Sequence, residues 1–365
     1  MVAENIEMGS DIMQKVENRG GNMKVIVTGS QGFIGSYLCQ ELLDKGHEVV
    51  GIDNYSKYGR VLRSHDNHLQ FKLLIEDISK ESHNLISHPD IINADHIIAG
   101  AAMIGGISYF HKYAYDLLAT NERILANTFD LAINLFKEHQ LKKITVISSS
   151  LVFENTEVYP TPESQVTECS PPSSTYGFQK LSSEYFCKGA YEQYGLPYTV
   201  IRPFNCVGVG EDAALGEDVV YSGNIKMLMS HVLPDLIHKA LHLQKNDKMP
   251  ILGNGNQIRH YTNGKDIARA IRMSLESNQT INQDFNISCP ISTSVKELAT
   301  LVWNKIHGCN PQFEYCDPYE YDVQIRSPDI SKAKKILDFE TQIPLEDSVQ
   351  EVINWMEGEC NASSV

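Results

Sequence analysis

Apolar and polar positions alternate along this chain in blocks that predict strands and helices in turn. Lys24-Val25-Ile26-Val27-Thr28 is β-branched and apolar, with the unbroken hydrophobicity of a buried strand. Glu48–Asp53, Phe71–Ile75, His96–Ala99, Lys143–Ser148 and Tyr198–Ile201 repeat that character. Between them, Ser36–Asp44, Asp116–His139 and Thr175–Tyr194 carry the helical period. Strands alternating with helices predict an α/β fold, a doubly wound parallel sheet of the Rossmann kind. After Pro203, Gly, Asn, Asp and Pro become frequent, and Ser294–His307, Ser331–Leu337 and Leu345–Glu357 read as amphipathic helices. This half is expected to form a smaller C-terminal α/β substrate-binding cap.

The expected division is a disordered tail over 1–22, a dinucleotide-binding domain over 23–203 and a mainly substrate-binding domain over 204–360. Some segments of the last are expected to return to the first. The tail is polar, with no apolar core of a signal peptide. The longest apolar run, Ile97–Ile107, is too short to span a bilayer, so no membrane partner is expected. A formal net charge of -15 argues against nucleic acid, whose phosphates need a basic face. Eight cysteines with no C-x-x-C pair point to reduced thiols in the cytoplasm rather than a zinc or dithiol site, and no metal is expected.

The candidate chemistry sits at the ends of the strands. Gly29-Ser30-Gln31-Gly32-Phe33-Ile34-Gly35 joins the first strand to a helix. Its glycines permit a tight turn and a close approach of backbone to a pyrophosphate, and the helix N-terminus favours an anion. Asp53 ends the second strand, placed to accept hydrogen bonds from a ribose and to repel a 2′-phosphate, which favours NAD. Arg60 and Arg63 lie downstream and leave NADP open. Asp77-Ile78 ends the third strand, in reach of an adenine. Tyr176 and Lys180 are four apart on one helical face. A phenol with an ordinary pKa near ~10 needs a cation close by to act as a base at neutral pH, and Lys180 is expected to supply it. Ser148-Ser149-Ser150 closes the fifth strand with a hydroxyl able to share the proton. Arg259 and Arg326 suit an anion.

These residues resemble the extended short-chain dehydrogenase/reductases, in particular the nucleotide-sugar epimerases and dehydratases. The resemblance runs from about Lys24 to Met356. It includes Ala99 to Ala102, Asn121, Arg202-Pro203-Phe204-Asn205, Gly253-Asn254-Gly255, Asp266 and Arg326-Ser327-Pro328-Asp329. It implies bound NAD, with Ala99 and Ala101 beside the cofactor, and a nucleoside-diphosphate sugar oxidised at C4. It also implies a homodimer built through two helices per subunit. Ser149 would be the hydroxyl partner, Tyr176 the base and Lys180 its activator; Asn205, Arg259 and Arg326 would hold the substrate.

Departures from the family narrow the reaction. Dehydratases carry an Asp-Glu pair where this chain has Ser150 and Leu151, and relatives that decarboxylate a glucuronate also carry a glutamate at Leu151. Ala102–Gly106 resembles enzymes that need a cysteine at the Leu151 position. What remains is oxidation at C4 with return of hydride, a 4-epimerase. The alternatives are a 4-dehydrogenase or ketoreductase that exchanges its cofactor, and a non-catalytic nucleotide sensor. Val152-Phe153-Glu154, His260 and the His111 region also differ from the usual pattern around the sugar.

Overall fold

The computed structural model of the chain describes residues 21–80, 83–104, 112–211, 220–222, 225–227, 231–318 and 323–362. The tail expected over 1–22 lies outside them except for its last two residues, as do Gly105, Gly106 and His111. Seven parallel strands form one sheet: β1 (Lys24–Thr28), β2 (Glu48–Asp53), β3 (Phe71–Ile75), β4 (His96–Ala99), β5 (Lys143–Ile147), β6 (Tyr198–Pro203) and β7 (Gln283–Ile287). Their order is β7-β6-β5-β4-β1-β2-β3. The winding reverses between β1 and β4, the point at which such sheets open a crevice at their carboxyl ends. The sequence reading missed β7, whose Gln-Asp-Phe-Asn-Ile has only two large apolar residues.

The strands alternate faces. Val25 and Val27 pack with Leu38, Leu42, Ile267, Ile271 and Phe285, under α1 (Phe33–Asp44) and, from the C-terminal half, α5 (Gly264–Glu276). Ile26 points the other way, into a core with Ile97, Phe129, Ile144 and Cys187, under α2 (Ala114–Glu138) and α3 (Thr175–Tyr194). A third core gathers Leu236, Ile237, Met249, Leu298, Val302, Trp303 and Ile353. These come largely from α4 (Val232–His242), α6 (Val295–His307) and α8 (Leu345–Ala362), beside a parallel strand pair, Lys248–Leu252 with Gln312–Cys316. A further helix, α7 (Ser331–Leu337), returns its Ala333 and Leu337 to the first core.

Local signals set the helix ends. Ser174 caps α3 by accepting from the Gly177 amide, and Gly195 stops it at φ 75°. A capping box of Ser294 and Glu297 starts α6. α1 starts at Phe33, three residues before the expected Ser36, which lies inside its first turn. The Ser36 hydroxyl donates to the Phe33 carbonyl. No helix among the described residues is long and apolar enough to cross a membrane.

Candidate active site

The glycine turn closes on itself. Gly29 holds φ 75° and donates its amide to the Ile52 carbonyl, which ties the turn to β2. A Cβ on Gly35 would stand 1.9 Å from the Gly29 carbonyl oxygen, so only glycine lets α1 start this close to β1. No side chain caps α1, and its first residues line a large cavity, which offers the positive end of the helix to an anion.

Asp53 stands beside the turn. One carboxylate oxygen accepts from the Gln31 amide at 3.0 Å and the other from the Tyr55 amide at 2.8 Å. Gln31 is fixed in turn by the carboxylate of Asp66 and by Arg63, whose Nε donates to its carbonyl. Arg63 lies over the Tyr58 ring, and Arg60 stands exposed over Tyr55. Neither arginine lines the cavity, whereas Asp53 does. At the end of β3, burial draws the Asp77 carboxyl upward, but hydrogen bonds from Ser79 and the charge of Lys80 hold it below its ordinary value. Thr28 Oγ1 accepts from the amides of Gly100 and Ala101 and fixes the chain after β4. Asn121 of α2 clamps Met103 through both its amide and its carbonyl.

The cavity is about 890 Å³, near the top of the ~300–1,000 Å³ range of ligand sites. Gly29, Gly32, Phe33, Ile34, Gly35, Asp53, Asp77, Ile78 and Ala101 line it, together with Ser149, Tyr176, Lys180, Asn205, Arg259 and Arg326. Ala99 does not line it; this residue packs against the core beneath α2 and α3. An uncapped helix end, a carboxylate at ribose distance from the turn and a crevice at the strand reversal fit a dinucleotide.

Tyr176 is the second residue of α3, its ring packed among Leu117, Leu151, Ile104 and Val323. Burial pushes the phenol up to about 12, while a hydrogen bond with Ser149 and the charge of Arg326 pull it down. Ser149 is held in extended backbone at the start of a turn, and its Oγ also accepts from the Leu151 amide at 3.2 Å. Lys180 lies in the same cavity, one helical turn further along α3. Its Nζ donates to the Ile147 carbonyl at 2.9 Å and stands 5.9 Å from the centre of the Tyr176 ring. Burial lowers this ammonium to about 8. The charge of Arg326 also bears on the phenol, and its amide donates a backbone hydrogen bond to Ile258. Arg259 is nearly buried, and one arm of its guanidinium donates to the Ile258 carbonyl.

A buried charge network anchors this region. Arg202 forms a two-pronged pair with Glu184 of α3 at 2.8 and 2.7 Å and reaches Asp284 of β7 at 2.7 Å. Glu184 also accepts the Ser148 hydroxyl at 2.6 Å, which links α3 to the serine run beside Ser149.

Several cavity residues had no mark in the sequence, because separate segments bring them together. Glu211 meets His231 at 2.5 Å. On α4, buried Asp235 pairs with half-buried Lys239, both lining the cavity. Asp235 Oδ2 takes the ammonium, whereas Oδ1 is buried without a hydrogen-bond partner. Burial raises its carboxyl above the ordinary value against the pull of Lys239. An i,i+4 pair contributes only ~0.3–0.5 kcal/mol to a helix. A buried acceptor left unpaired costs roughly 1–3 kcal/mol. Helix stability therefore does not account for this pair.

The comparisons agree with this geometry. Residues 25–288 match the model of the NAD dependent epimerase/dehydratase family. An uncharacterized UDP-glucose epimerase of Bacillus subtilis is 27% identical over 344 residues, covering 92% of this chain and 98% of its own. A UDP-N-acetyl-alpha-D-glucosaminuronate decarboxylase of Bacillus cytotoxicus is 26% identical over 344 residues, covering 91% and 97%. The crystal structure of a UDP-glucose 4-epimerase with UDP-glucose from Thermotoga maritima superposes with a TM-score of 0.74 at 25% identity, covering 93% of this chain and all of that one.

Proposed function

We propose, on the premise that this chain belongs to the NAD dependent epimerase/dehydratase family, that it is a UDP-sugar 4-epimerase working by transient oxidation at C4. The observation that carries the reading is the contact of Ser149 with Tyr176 inside a cavity that also holds the glycine turn, Arg259 and Arg326. The glycine turn, Asp53 and Asp77 would hold NAD, which would supply a reversible hydride acceptor for the sugar carbon.

The remaining work falls to the side chains. Asn205, Arg259 and Arg326 hold the diphosphate, which leaves the sugar to extend toward Ser149. Ser149 relays the proton of the C4 hydroxyl to Tyr176, and Tyr176 returns it after the keto sugar has turned over. The Arg326 charge favours the ionised phenol. Lys180, held on the Ile147 carbonyl, steadies the start of α3 beside the nicotinamide ribose. Ser150 and Leu151 supply no carboxylate, and Leu151 packs on Tyr176, which sets the chain apart from elimination and from its decarboxylase relative.

The same proposal divides the chain into a cofactor-binding domain over 23–203 and a substrate-binding domain over 204–360 that lends β7 and α5 to the first. Exposed Tyr115 on α2 and Phe178 and Tyr185 on α3 support a homodimer across those two helices.

The test is interconversion of UDP-glucose, UDP-N-acetylglucosamine or UDP-glucuronate and their C4 epimers, followed by NMR with no nicotinamide added. A new anomeric signal supports the epimerase. A strict need for added cofactor supports the 4-dehydrogenase or ketoreductase instead. No turnover with any of them, added cofactor included, leaves the sensor.

A further inference from the structure

The proton chemistry has no use for the pair on α4. A carboxylate repels a diphosphate, so Asp235 cannot serve the anion that Arg259 and Arg326 suit. Around it the cavity is walled by Val232, Leu236, Pro250, Leu252 and Val295, an apolar lining suited to a flat ring. On α4 that lining carries an acceptor without a hydrogen-bond partner, Asp235 Oδ1, and next to it an ammonium, Lys239, whereas nearby Glu211 is already paired with His231.

We propose that Asp235 and Lys239 read the base of the nucleotide: Asp235 Oδ1 accepts a ring N–H, and Lys239 donates to the carbonyl beside it. An N–H flanked by C=O is the edge of an imide or lactam ring. On the proposed function, on which this inference rests, that ring is uracil and the N–H is at N3. Cytosine presents a lone pair at the same ring position, and the carboxylate repels it. Base selection therefore comes from a charge-assisted contact on the cap, separate from the residues that handle the sugar.

The experiment is calorimetric titration of the purified protein, NAD added, with UDP, 2′-deoxy-UDP and CDP. Wild type binds UDP at least about tenfold tighter than CDP. Asp235→Ala weakens UDP and 2′-deoxy-UDP equally, by about 10- to 100-fold, the range of a hydrogen bond to a charged group, and changes CDP little. Asp235→Asn, which keeps the shape and an acceptor, falls between. If Asp235→Ala does not fold, the asparagine variant and the wild-type preference still decide. Equal wild-type affinity for UDP and CDP overturns the inference, as does unchanged UDP binding in the folded alanine variant. A loss seen with UDP but not with 2′-deoxy-UDP overturns it too, because the carboxylate then holds the ribose. Failure of wild type to bind UDP at all overturns the proposed function itself.

Discussion

Replacing Gly35 by alanine tests whether the close start of α1 is what makes the cofactor site. The added Cβ would lie 1.9 Å from the Gly29 carbonyl oxygen, 2.9 Å from its carbon and 3.1 Å from Ser30 Cα. All three are backbone atoms, so no side chain can swing aside. α1 must withdraw by about 1 Å to restore ordinary contact. Its inner face, Leu38, Cys39, Leu42 and Leu43, is buried in the first core, so the withdrawal disturbs packing on both sides. Overpacking of this kind costs about 1–3 kcal/mol, and the better helix propensity of alanine offsets up to ~1 kcal/mol. A net loss of ~1–2 kcal/mol lowers Tm by roughly 1–3 °C in a chain of this size. The effect on the ligand is larger. First-turn amides moved by ~1 Å lose their hydrogen bonds to a phosphate, and each such bond is worth about 10- to 100-fold in affinity. Gly32→Ala is the control: its Cβ meets Gly29 O at 3.1 Å from a φ of -72°, so a shift of a few tenths of an ångström suffices. The assay is nicotinamide released by heat per subunit, beside thermal denaturation. A Gly35→Ala protein that keeps a full complement of NAD and melts with wild type would refute the reasoning.

Two other perturbations probe the frame and the cofactor choice. Asp53→Asn leaves one oxygen for the two amides of Gln31 and Tyr55 and removes the charge facing the ribose. The preference for NAD over NADP, measured as a ratio of Kd values, should shrink about tenfold, and an unchanged ratio would show that Asp53 does not set it. At the start of β5, Lys143 is buried, donates to the Ser274 carbonyl and the Thr280 hydroxyl, and is lowered by burial to about 7. Between that value and the unfolded lysine near ~10.4, the unfolded chain binds a proton that the fold does not. Stability should therefore rise with pH from about 7 upward, by at most ~1.4 kcal/mol per pH unit, and Lys143→Met should flatten that part of the profile. Urea denaturation at several pH values checks it; parallel profiles for the two proteins would count against the assignment.

The strands, the glycine turn and the Tyr176/Lys180 pair were legible because each is written in a short stretch: an apolar run, a G-x-x-G-x-x-G spacing, an i,i+4 pair. β7 was not, since Gln283–Ile287 is a strand by virtue of the Thr199–Pro203 edge it pairs with rather than its own pattern. Nor was the partner of each charge. Spacing placed Lys180 beside Tyr176 but gave no sign that its ammonium would also donate to the Ile147 carbonyl. Arg326, 150 positions away from Tyr176 in the chain, arrives through a backbone contact with Ile258. Asp235 and Lys239 carry no mark in the sequence, and only their place against the cavity marks them out.

The claim at the centre is that the Tyr176 oxygen moves the proton. Tyr176→Phe removes that oxygen and leaves the ring among Leu117, Leu151, Ile104 and Val323. Epimerisation rates of wild type and variant at saturating UDP-sugar should differ by about 10²- to 10⁴-fold, with NAD content and melting temperature unchanged. A folded, NAD-loaded variant turning over within about threefold of wild type would contradict the account.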